Sequence, residues 1–312
     1  MRLTVGTGEA FEKIGDALQY AEKCVDEEVT IHISPGSYHE KLEIRQKGLV
    51  LEGEDAKSTI ITYDDYANDI MPDGEKRGTF RSYTMLIDAP GVRLMNLTIE
   101  NAAGPRPGSG QSVALYAEGE GITLRNCRLL GDQDTLFTGP LPPKEVVPGG
   151  FRGPKEFAPR VNGRQFYFDC YICGGVDFIF GSATAYFENC TVESLPHAGF
   201  VTAGSSPEGQ EFGYVFSHCR FIGDETQANV YLGRPWREHA RVVILNSYLG
   251  GHIRGEGWHD WNKERAHENA FFAEYQNYGP GAEGQRVGWS HQLTAEEAKR
   301  YTLENILRES AE

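Results

Sequence analysis

Long apolar runs are absent from this sequence. No stretch among its 312 residues approaches the roughly 20 apolar residues that cross a bilayer as a helix. The opening residues, MRLTVGTG, also lack the apolar core and the small-residue cleavage site of a secretory signal. We therefore expect a cytosolic protein with no membrane partner. A secreted protein whose signal had been removed and replaced by Met1 would begin in the same way.

Positive charge is also scarce. The chain has 30 lysines and arginines and 45 aspartates and glutamates, which gives a formal net charge of −15. Such acidity argues against nucleic acid as a partner, and it would repel a long polyanion unless basic residues gather at a cleft. The nine histidines show no metal-ligand spacing, so we expect neither a metal nor another cofactor.

A short sequence pattern recurs along the chain. An apolar residue precedes an Asn, Asp or His by one or two positions, and a small or apolar residue and then another apolar residue follow it. Units of about 20 residues or more, lengthened by loops, are typical of a stacked β-solenoid. The repeat predicts an all-β fold, a right-handed parallel β-helix, in a single domain over residues 1–312. The polar residues of the six copies are Asn96, Asn126, Asp169, Asn189, His218 and Asn246.

Helices are expected only at the two ends of the chain. Apolar residues at helical spacing predict a helix over residues 9–25, which would cover the open end of the solenoid. The capping-box pattern from Thr294 to Glu297 predicts a second helix over residues 294–308. Turn residues separate the short strands that follow the first helix. Strands are predicted at residues 29–33, 42–44, 49–51 and 59–61, and a loop at residues 63–78.

A second loop is marked by its composition. Residues 140–163 are the segment of the chain that is densest in proline and glycine. They fall between Asn126 and Asp169, whose spacing of 43 residues is the longest in the repeat. Without about 20 residues of loop, one ordinary coil remains in this interval. We therefore interpret residues 140–163 as an inserted loop and expect the coils of Asn126 and Asp169 to be adjacent.

Four of the six cysteines, Cys127, Cys170, Cys190 and Cys219, fill the same position of the repeat. This regularity predicts a stack of buried sulfurs, which needs no metal or redox role to explain it. Neighbouring coils lie about 4.8 Å apart, which is within disulfide reach. A bridge between Cys170 and Cys190 is therefore sterically allowed, but we do not expect it in a reducing compartment.

Two aspartates hold equivalent positions in adjacent coils. Asp134 lies eight residues after Asn126, and Asp177 lies eight residues after Asp169. Equal offsets would place the two carboxylates on one face, one coil apart. Spacing alone favours a plainer interpretation, two solvated aspartates at strand ends. However, the aromatic neighbours of Asp177 would desolvate it, so its charge requires a cation, and Arg234 is the candidate.

Four short motifs occur in order along the chain: Gln111–Leu115, Gly131–Leu136, Val176–Gly181 and Leu232–Trp236. In this order they resemble the motifs of the pectinesterase family. Ordered motifs are far more specific than any one of them alone. The resemblance implies the right-handed parallel β-helix that the repeat predicts independently. It also implies a carboxylic ester hydrolase that acts on methyl-esterified galacturonate in pectin or oligogalacturonides and releases methanol.

The same resemblance assigns a role to each site residue. Asp177 is expected to be the nucleophile, and Asp134 the general acid and then the general base. Arg234 would keep Asp177 ionised and oriented, and Gln133 would stabilise the oxyanion. No metal is required for this chemistry, and a monomer is expected. The expected substrate contacts are Thr84, Gln111, Arg234 and Trp236.

The inserted loop departs from relatives that join the two aspartate motifs by a short connection. If residues 140–163 border the cleft, they would narrow it and favour short or chain-end substrates. His197 also lies eight residues after its repeat position, Asn189, but a single histidine beside a proline is more often an ordinary loop residue.

Two further classes of function stay open. One is another β-helix enzyme acting on the same polymer, either a hydrolase that cuts glycosidic bonds with paired aspartates or a calcium-dependent lyase. The other is a sugar-binding solenoid without catalysis. Binding alone does not require Gln133, Asp134, Asp177 and Arg234 together, so the esterase is preferred.

Overall fold

The computed structural model describes residues 1–24, 27–263 and 265–308. Strands dominate the described chain, and they form three sheets in which every pair of neighbouring strands is parallel. Successive coils contribute strands to the 11-stranded, the eight-stranded and the seven-stranded sheet in turn. The predicted right-handed parallel β-helix is confirmed.

The strands keep a constant order from coil to coil. The 11-stranded sheet contains Arg2–Val5, Thr30–Ile33, Val50–Gly53, Arg93–Met95, Ile122–Arg125, Arg164–Phe168, Thr184–Glu188, Tyr214–Ser217, Arg241–Leu245, Phe271–Tyr275 and His291–Gln292. The eight-stranded sheet contains Gly36–His39, Thr59–Tyr63, Thr98–Asn101, Arg128–Leu130, Tyr171–Gly174, Thr191–Ser194, Arg220–Ile222 and Tyr248–Leu249. The seven-stranded sheet contains Leu42–Ile44, Met85–Asp88, Leu115–Glu118, Leu136–Thr138, Val176–Gly181, Phe200–Gly204 and Tyr231–Pro235.

The polar residue of each repeat marks a bend between two sheets. All six lie between a strand of the 11-stranded sheet and the next strand of the eight-stranded sheet, with φ between 50° and 55°. Asn and Asp tolerate this left-handed backbone better than other residues with a Cβ. The repeat is therefore a series of one-residue turns. The structure adds a seventh turn at Gln276 (φ 50°), which a search for Asn, Asp or His could not detect.

The N-terminal helix is shorter than predicted and covers Ile14–Ala21, while Val25 lies outside the described residues. It packs its apolar face on the first coil, as expected of a cap. The helix begins at Ile14 and not at residue 9, because the free N–H groups of Ile14 and Gly15 donate to the Glu40 carboxylate, each at 2.9 Å. The residues before it are extended, and the Phe11 N–H donates to the Thr4 carbonyl oxygen.

The predicted C-terminal helix is two short helices, Ala295–Ala298 and Leu303–Arg308. The predicted capping box is present at Thr294 and Glu297. Tyr301 lies between the helices and is buried against the Phe212 ring, so packing interrupts the helical pattern there. The remaining helical segments are Ala266–Asn269 and the 3₁₀ turns Thr79–Arg81 and Pro280–Ala282.

None of the helices within the described ranges is long and apolar enough to span a membrane.

The cysteine column forms as expected. Cys127, Cys170, Cys190 and Cys219 are at most 1% exposed, one in each of four successive coils. All six cysteines of the chain are free thiols. Burial raises the pKa of the Cys170 and Cys190 thiols well above the usual value, which keeps them protonated and unreactive.

The inserted loop leaves the register of the coils intact. Residues 140–163 contain no helix or strand, as predicted. On either side of them the coils stay paired, with Arg125 opposite Phe168 and Leu136 opposite Ile179. The coils that carry Asn126 and Asp169 are therefore adjacent.

A substitution at one bend tests the role of the repeat. Asn246→Val should lower the free energy of unfolding by about 1–2 kcal/mol, because a β-branched side chain disfavours a left-handed backbone. Asn246→Gly removes the steric conflict and should change the stability by less than about 1 kcal/mol. Urea denaturation followed by circular dichroism measures both, and equal losses in the two variants would contradict the prediction.

Candidate active site

Two buried aspartates lie side by side at the seven-stranded sheet. Asp134 precedes the strand Leu136–Thr138, and Asp177 lies in the strand Val176–Gly181 of the next coil. The Asp134 N–H donates to the Val176 carbonyl oxygen at 3.0 Å. The aspartates are 8% and 6% exposed, so the interpretation as solvated strand-end residues is wrong. The predicted juxtaposition in adjacent coils is confirmed.

Both aspartates have a backbone conformation that regular strands do not adopt. Their φ angles are 67° for Asp134 and 49° for Asp177. A left-handed backbone at a residue other than glycine costs on the order of 1 kcal/mol of conformational free energy. Contacts with the surrounding structure must offset this cost at each of the two positions. At Asp177 the pairing with the following coil also shifts register between Val176 and Ile179. These two bends face the cleft, whereas the bends of the repeat lie between the other two sheets.

Arg234 holds Asp177 through both oxygens of its carboxylate. Its Nε donates to Oδ1 at 2.8 Å, and its Nη2 donates to Oδ2 at 2.6 Å. The guanidinium carbon lies 3.8 Å from the ring centroid of Phe200 and 3.7 Å from that of Trp261. The guanidinium is therefore held between two aromatic rings, an arrangement for which its flat, permanently charged group is suited. The predicted pairing of Arg234 with Asp177 is confirmed.

The two carboxyl groups differ in their electrostatic environment. Burial raises the pKa of Asp177, while the hydrogen bonds and charge of Arg234 act in the opposite direction. Burial and the negative charge of Asp177 raise the pKa of Asp134 well above the usual range, and Arg234 offsets only part of this. Over a range of pH, Asp177 is therefore ionised while Asp134 keeps its proton.

The cleft in front of the aspartates has a volume of about 320 Å³. Gln111 and Gln133 line it, and within the described ranges neither side-chain amide donates to another protein group. Their N–H groups are therefore free to donate to a ligand. Trp236 forms an apolar wall together with Phe80, whose ring centroid is 6.5 Å away. The predicted site residues that the structure brings together are Gln111, Gln133, Asp134, Asp177, Arg234 and Trp236.

Thr84 does not belong to this group. It is fully buried, and its hydroxyl donates to the Glu100 carbonyl oxygen at 2.7 Å. Its backbone pairs with neighbouring coils on both sides, so it supports the stack and cannot reach a ligand in the cleft. Thr79, five residues earlier in the chain, lines the cleft instead. Sequence spacing gives no signal that distinguishes the two threonines.

Other cleft residues were not predicted from the sequence. Arg237, Trp261 and Phe151 line the cavity, the last from the inserted loop. Lys263 donates to the carbonyl oxygens of Pro235 and Trp236 at 2.7 and 3.0 Å, which fixes the turn behind the Trp236 ring. Burial, with the nearby positive charges, lowers the pKa of Lys263 to about 8.

Behind the cleft, a pair of side chains joins the coil before Asp177 to the coil after it. His197 Nε2 lies 2.5 Å from Oδ1 of Asp132, the residue that precedes Gln133. The pair crosses over Gly175 of the intervening coil, where a Cβ would lie 2.6 Å from that oxygen. His197 is thus a loop residue, as expected, but it also braces the turn that carries Gln133 and Asp134.

Within the described ranges, no group of three or more His, Cys, Asp or Glu side chains is arranged to hold a metal ion.

The pectinesterase family model matches residues 4–140 and 160–310. The chain belongs to the pectinesterase family. Residues 141–159, which lie in the inserted loop, are outside the match. The matched ranges contain all the predicted site residues that lie together at the two aspartates, whereas most of the inserted loop lies outside these ranges.

Similar proteins agree with this membership. Pectinesterase 31 of Arabidopsis thaliana is 34% identical over 87% of this chain and 80% of its own length. A pectinesterase/pectinesterase inhibitor of Prunus persica is 35% identical over 97% of this chain, which spans only 55% of that relative. A solved pectin methylesterase in complex with a hexasaccharide has a TM-score of 0.80 at 28% identity, covering 98% of this chain and 97% of that one. Neither the fold nor these relatives support the expected cytosolic location.

The contact between Arg234 and Asp177 gives a prediction about protonation. Arg234→Gln should raise the pKa of the Asp177 carboxyl, because burial would then act without the opposing positive charge. Arg237→Gln removes an equal charge from the cleft wall and should leave that pKa nearly unchanged, since Arg237 donates to the backbone oxygens of Trp236 and Lys144. Carbon-13 NMR titration of labelled aspartate measures both, and equal shifts would contradict the prediction.

Proposed function

We propose that the protein is a carboxylic ester hydrolase that removes methyl groups from methyl-esterified galacturonate in pectin or oligogalacturonides and releases methanol. The observation that carries this proposal is the pair of buried aspartates in adjacent coils, one of them held through both carboxylate oxygens by Arg234. Membership of the pectinesterase family supports it. A structural relative described as a pectin methylesterase bound to a hexasaccharide supports a saccharide as the ligand of this cleft.

In the first half of the reaction, Asp177 is the nucleophile. One oxygen of its carboxylate attacks the carbonyl carbon of the methyl ester and forms a tetrahedral intermediate. Asp134, which starts protonated, donates its proton to the methoxy oxygen as the carbon–oxygen bond breaks. Methanol leaves, and the galacturonate acyl group remains joined to Asp177 as an anhydride. Arg234 orients Asp177 and keeps it ionised before the attack.

In the second half, water replaces methanol. Asp134 is now a carboxylate and takes a proton from the water that attacks the acyl carbon. The bond to Asp177 breaks, which frees the galacturonic acid carboxyl group and restores the starting protonation of both aspartates. The freed carboxyl group then loses its proton to solvent. The reaction as written uses no metal ion or other cofactor.

The free amides of Gln133 and Gln111 are suited to the developing oxyanion. A donor that is positioned before the reaction stabilises the charge of the transition state without reorganisation. Trp236 provides an apolar surface on which one face of a sugar ring can pack, and Gln111 would also contact the substrate.

Substitution of the aspartates tests the assigned roles. Asp177→Ala and Asp134→Ala should each lower methanol release from methylated pectin by roughly a thousandfold or more. Gln133→Ala should lower kcat by about a hundredfold, because one oxyanion donor is lost. Asp169→Asn is the matched control, since Asp169 is an exposed aspartate at a bend outside the cleft and should retain full activity.

The same assay separates the remaining classes of function. It is run with a chelator present and with circular dichroism to check folding. New reducing ends without methanol would indicate a glycosidic-bond hydrolase, and calcium-dependent unsaturated products would indicate a lyase. Saccharide binding without any product would leave a binding module. Each of these results would reject the esterase.

The protonation states predict the pH dependence. Asp177 must be ionised, so kcat/KM should fall as the pH drops through its raised pKa. Asp134 must be protonated, so activity should also fall as the pH rises through its more strongly raised pKa. The profile should therefore be bell-shaped, and Asp134→Asn should be nearly inactive at every pH. An alkaline limb that persists in a residually active Asp134→Asn variant would contradict the assignment of Asp134.

A further inference from the structure

The contact between Asp132 and His197 joins two coils that are not neighbours in any sheet. Asp132, Gly175 and His197 occupy equivalent places in three successive coils, each between a strand of the eight-stranded sheet and the next strand of the seven-stranded sheet. Nε2 of His197 lies 2.5 Å from Oδ1 of Asp132. A carboxylate oxygen only accepts hydrogen bonds, so the ring N–H is the donor. The pair therefore bridges the first and third coils directly.

The middle coil can be bridged because its residue at the crossing is glycine. A Cβ on Gly175 would lie 2.6 Å from Oδ1 of Asp132 and 2.7 Å from Nε2 of His197, well inside van der Waals contact. The backbone of Gly175 also contacts both neighbours. Its N–H donates to the Asp132 carbonyl oxygen at 2.9 Å, and its carbonyl oxygen accepts from the Gly199 N–H at 2.9 Å. Side-chain and backbone contacts thus clamp the same three segments together.

This clamp lies two residues ahead of each buried aspartate of the cleft. Asp132 precedes Asp134 by two positions, and Gly175 precedes Asp177 by two positions. Both aspartates have a left-handed backbone, with φ angles of 67° and 49°. Such a conformation persists only where the surrounding structure determines it. The placement of the two carboxyl groups therefore depends on their turns being held against each other.

Gln133 depends on the same turn. Its side-chain amide donates to no protein group within the described ranges, so its position is set through its backbone. There it forms a bridge with Val176, and its carbonyl oxygen accepts from the Ser112 N–H at 3.0 Å. An oxyanion donor is effective when it is positioned before the reaction. The turn that the clamp holds is thus the turn that directs this amide.

The pair itself lies outside the cleft and acts on position. Neither Asp132 nor His197 lines the cleft. The Asp132 side chain is 12% exposed, and that of His197 is 46% exposed. Burial and the charge of Asp177 raise the pKa of Asp134, and Arg234 opposes them, whereas Asp132 is not one of the causes. An effect of the pair on the reaction must therefore come from geometry.

We propose that Asp132 and His197 are positioning residues for the reaction. Their contact holds the turn of Asp134 against the turn of Asp177. The inference rests on the proposed function, which gives these two aspartates their roles. Without the contact, the mostly buried Asp132 carboxylate loses its donor and must turn toward water, which moves its own turn. Sugar contacts elsewhere in the cleft do not depend on this turn, so the loss should appear in kcat and not in KM.

Two replacements of His197 give a matched test. In His197→Gln the amide nitrogen can take the place of Nε2 and donate to Asp132, whereas in His197→Asn the same amide is one methylene shorter and cannot reach. His197→Asn should lower kcat for methanol release about tenfold, with KM changed less than about twofold. His197→Gln should keep at least about half of the wild-type kcat. Equal kcat values in the two variants, or a loss that appears in KM, would overturn the proposal.

A double-mutant cycle tests whether the two residues act as a unit. Asp132→Ala and His197→Ala should each lower kcat about tenfold, and the double variant should also lose about tenfold, because the contact is already absent in either single variant. A loss of about a hundredfold in the double variant would mean that the two residues act independently, and would reject the paired role.

Amide hydrogen exchange separates this inference from the esterase itself, because it needs no turnover. The N–H groups of Asp134 and Gly175 donate to backbone oxygens of the adjacent coil, so they report on the contact between the turns. Both should exchange roughly tenfold faster in His197→Asn than in wild type or His197→Gln. The Asn246 N–H, which donates to a backbone oxygen at a bend outside the cleft, is the internal control and should not change.

The exchange rates give two distinct outcomes. Equal rates at Asp134 and Gly175 in all three proteins would reject the positioning role. If the rates differ as expected but wild type releases no methanol, the proposed reaction fails while the clamp between the turns stands.

Discussion

The parallel, in-register stacking of coils is the constraint on which the rest of the structure depends. Each coil must turn at the same place as its neighbours, and a single left-handed residue makes that turn from Asn96 to Gln276. Because the register passes unchanged across the inserted loop, Gln133 lies opposite Val176, and Asp134 lies beside Asp177 in the next coil. The scaffold thus positions the two carboxyl groups through backbone pairing, before any side chain contributes.

Charge at the site is controlled by burial and by one cation. Two neighbouring carboxyl groups in an apolar cleft cannot both ionise easily, and Arg234 determines which of them does. The rings of Phe200 and Trp261 hold the guanidinium in place, so its position does not depend on solvent. The resulting asymmetry is what an ester hydrolase with an aspartate nucleophile requires, since its two carboxyl groups must differ in protonation.

The insert illustrates how a rigid solenoid tolerates variation. A loop between two coils adds new side chains to the cleft without disturbing the strands on either side. Partly buried ion pairs of Lys155 and the packing of Phe151 fix this loop against the solenoid. The residues proposed for catalysis then belong to the stack, whereas the insert contributes Phe151 to the wall of the cleft. The predicted effect of the loop on substrate length stays a prediction, although the loop does border the cleft.

The sequence by itself determined the β-helix and the adjacency of the coils, because repeat spacing is a direct consequence of coil length. The partnership of Asp134, Asp177 and Arg234 followed from the aromatic neighbours of Asp177 and from the family motifs, since spacing alone favoured two solvated aspartates. The sequence overestimated both terminal helices, since distant contacts such as that of Glu40 set where they begin. Only the tertiary structure decided that Thr79 and not Thr84 faces the cleft, and that the insert meets the 67–79 segment to form a groove. Those contacts join loops far apart in the chain, and no local pattern records which side chains will meet.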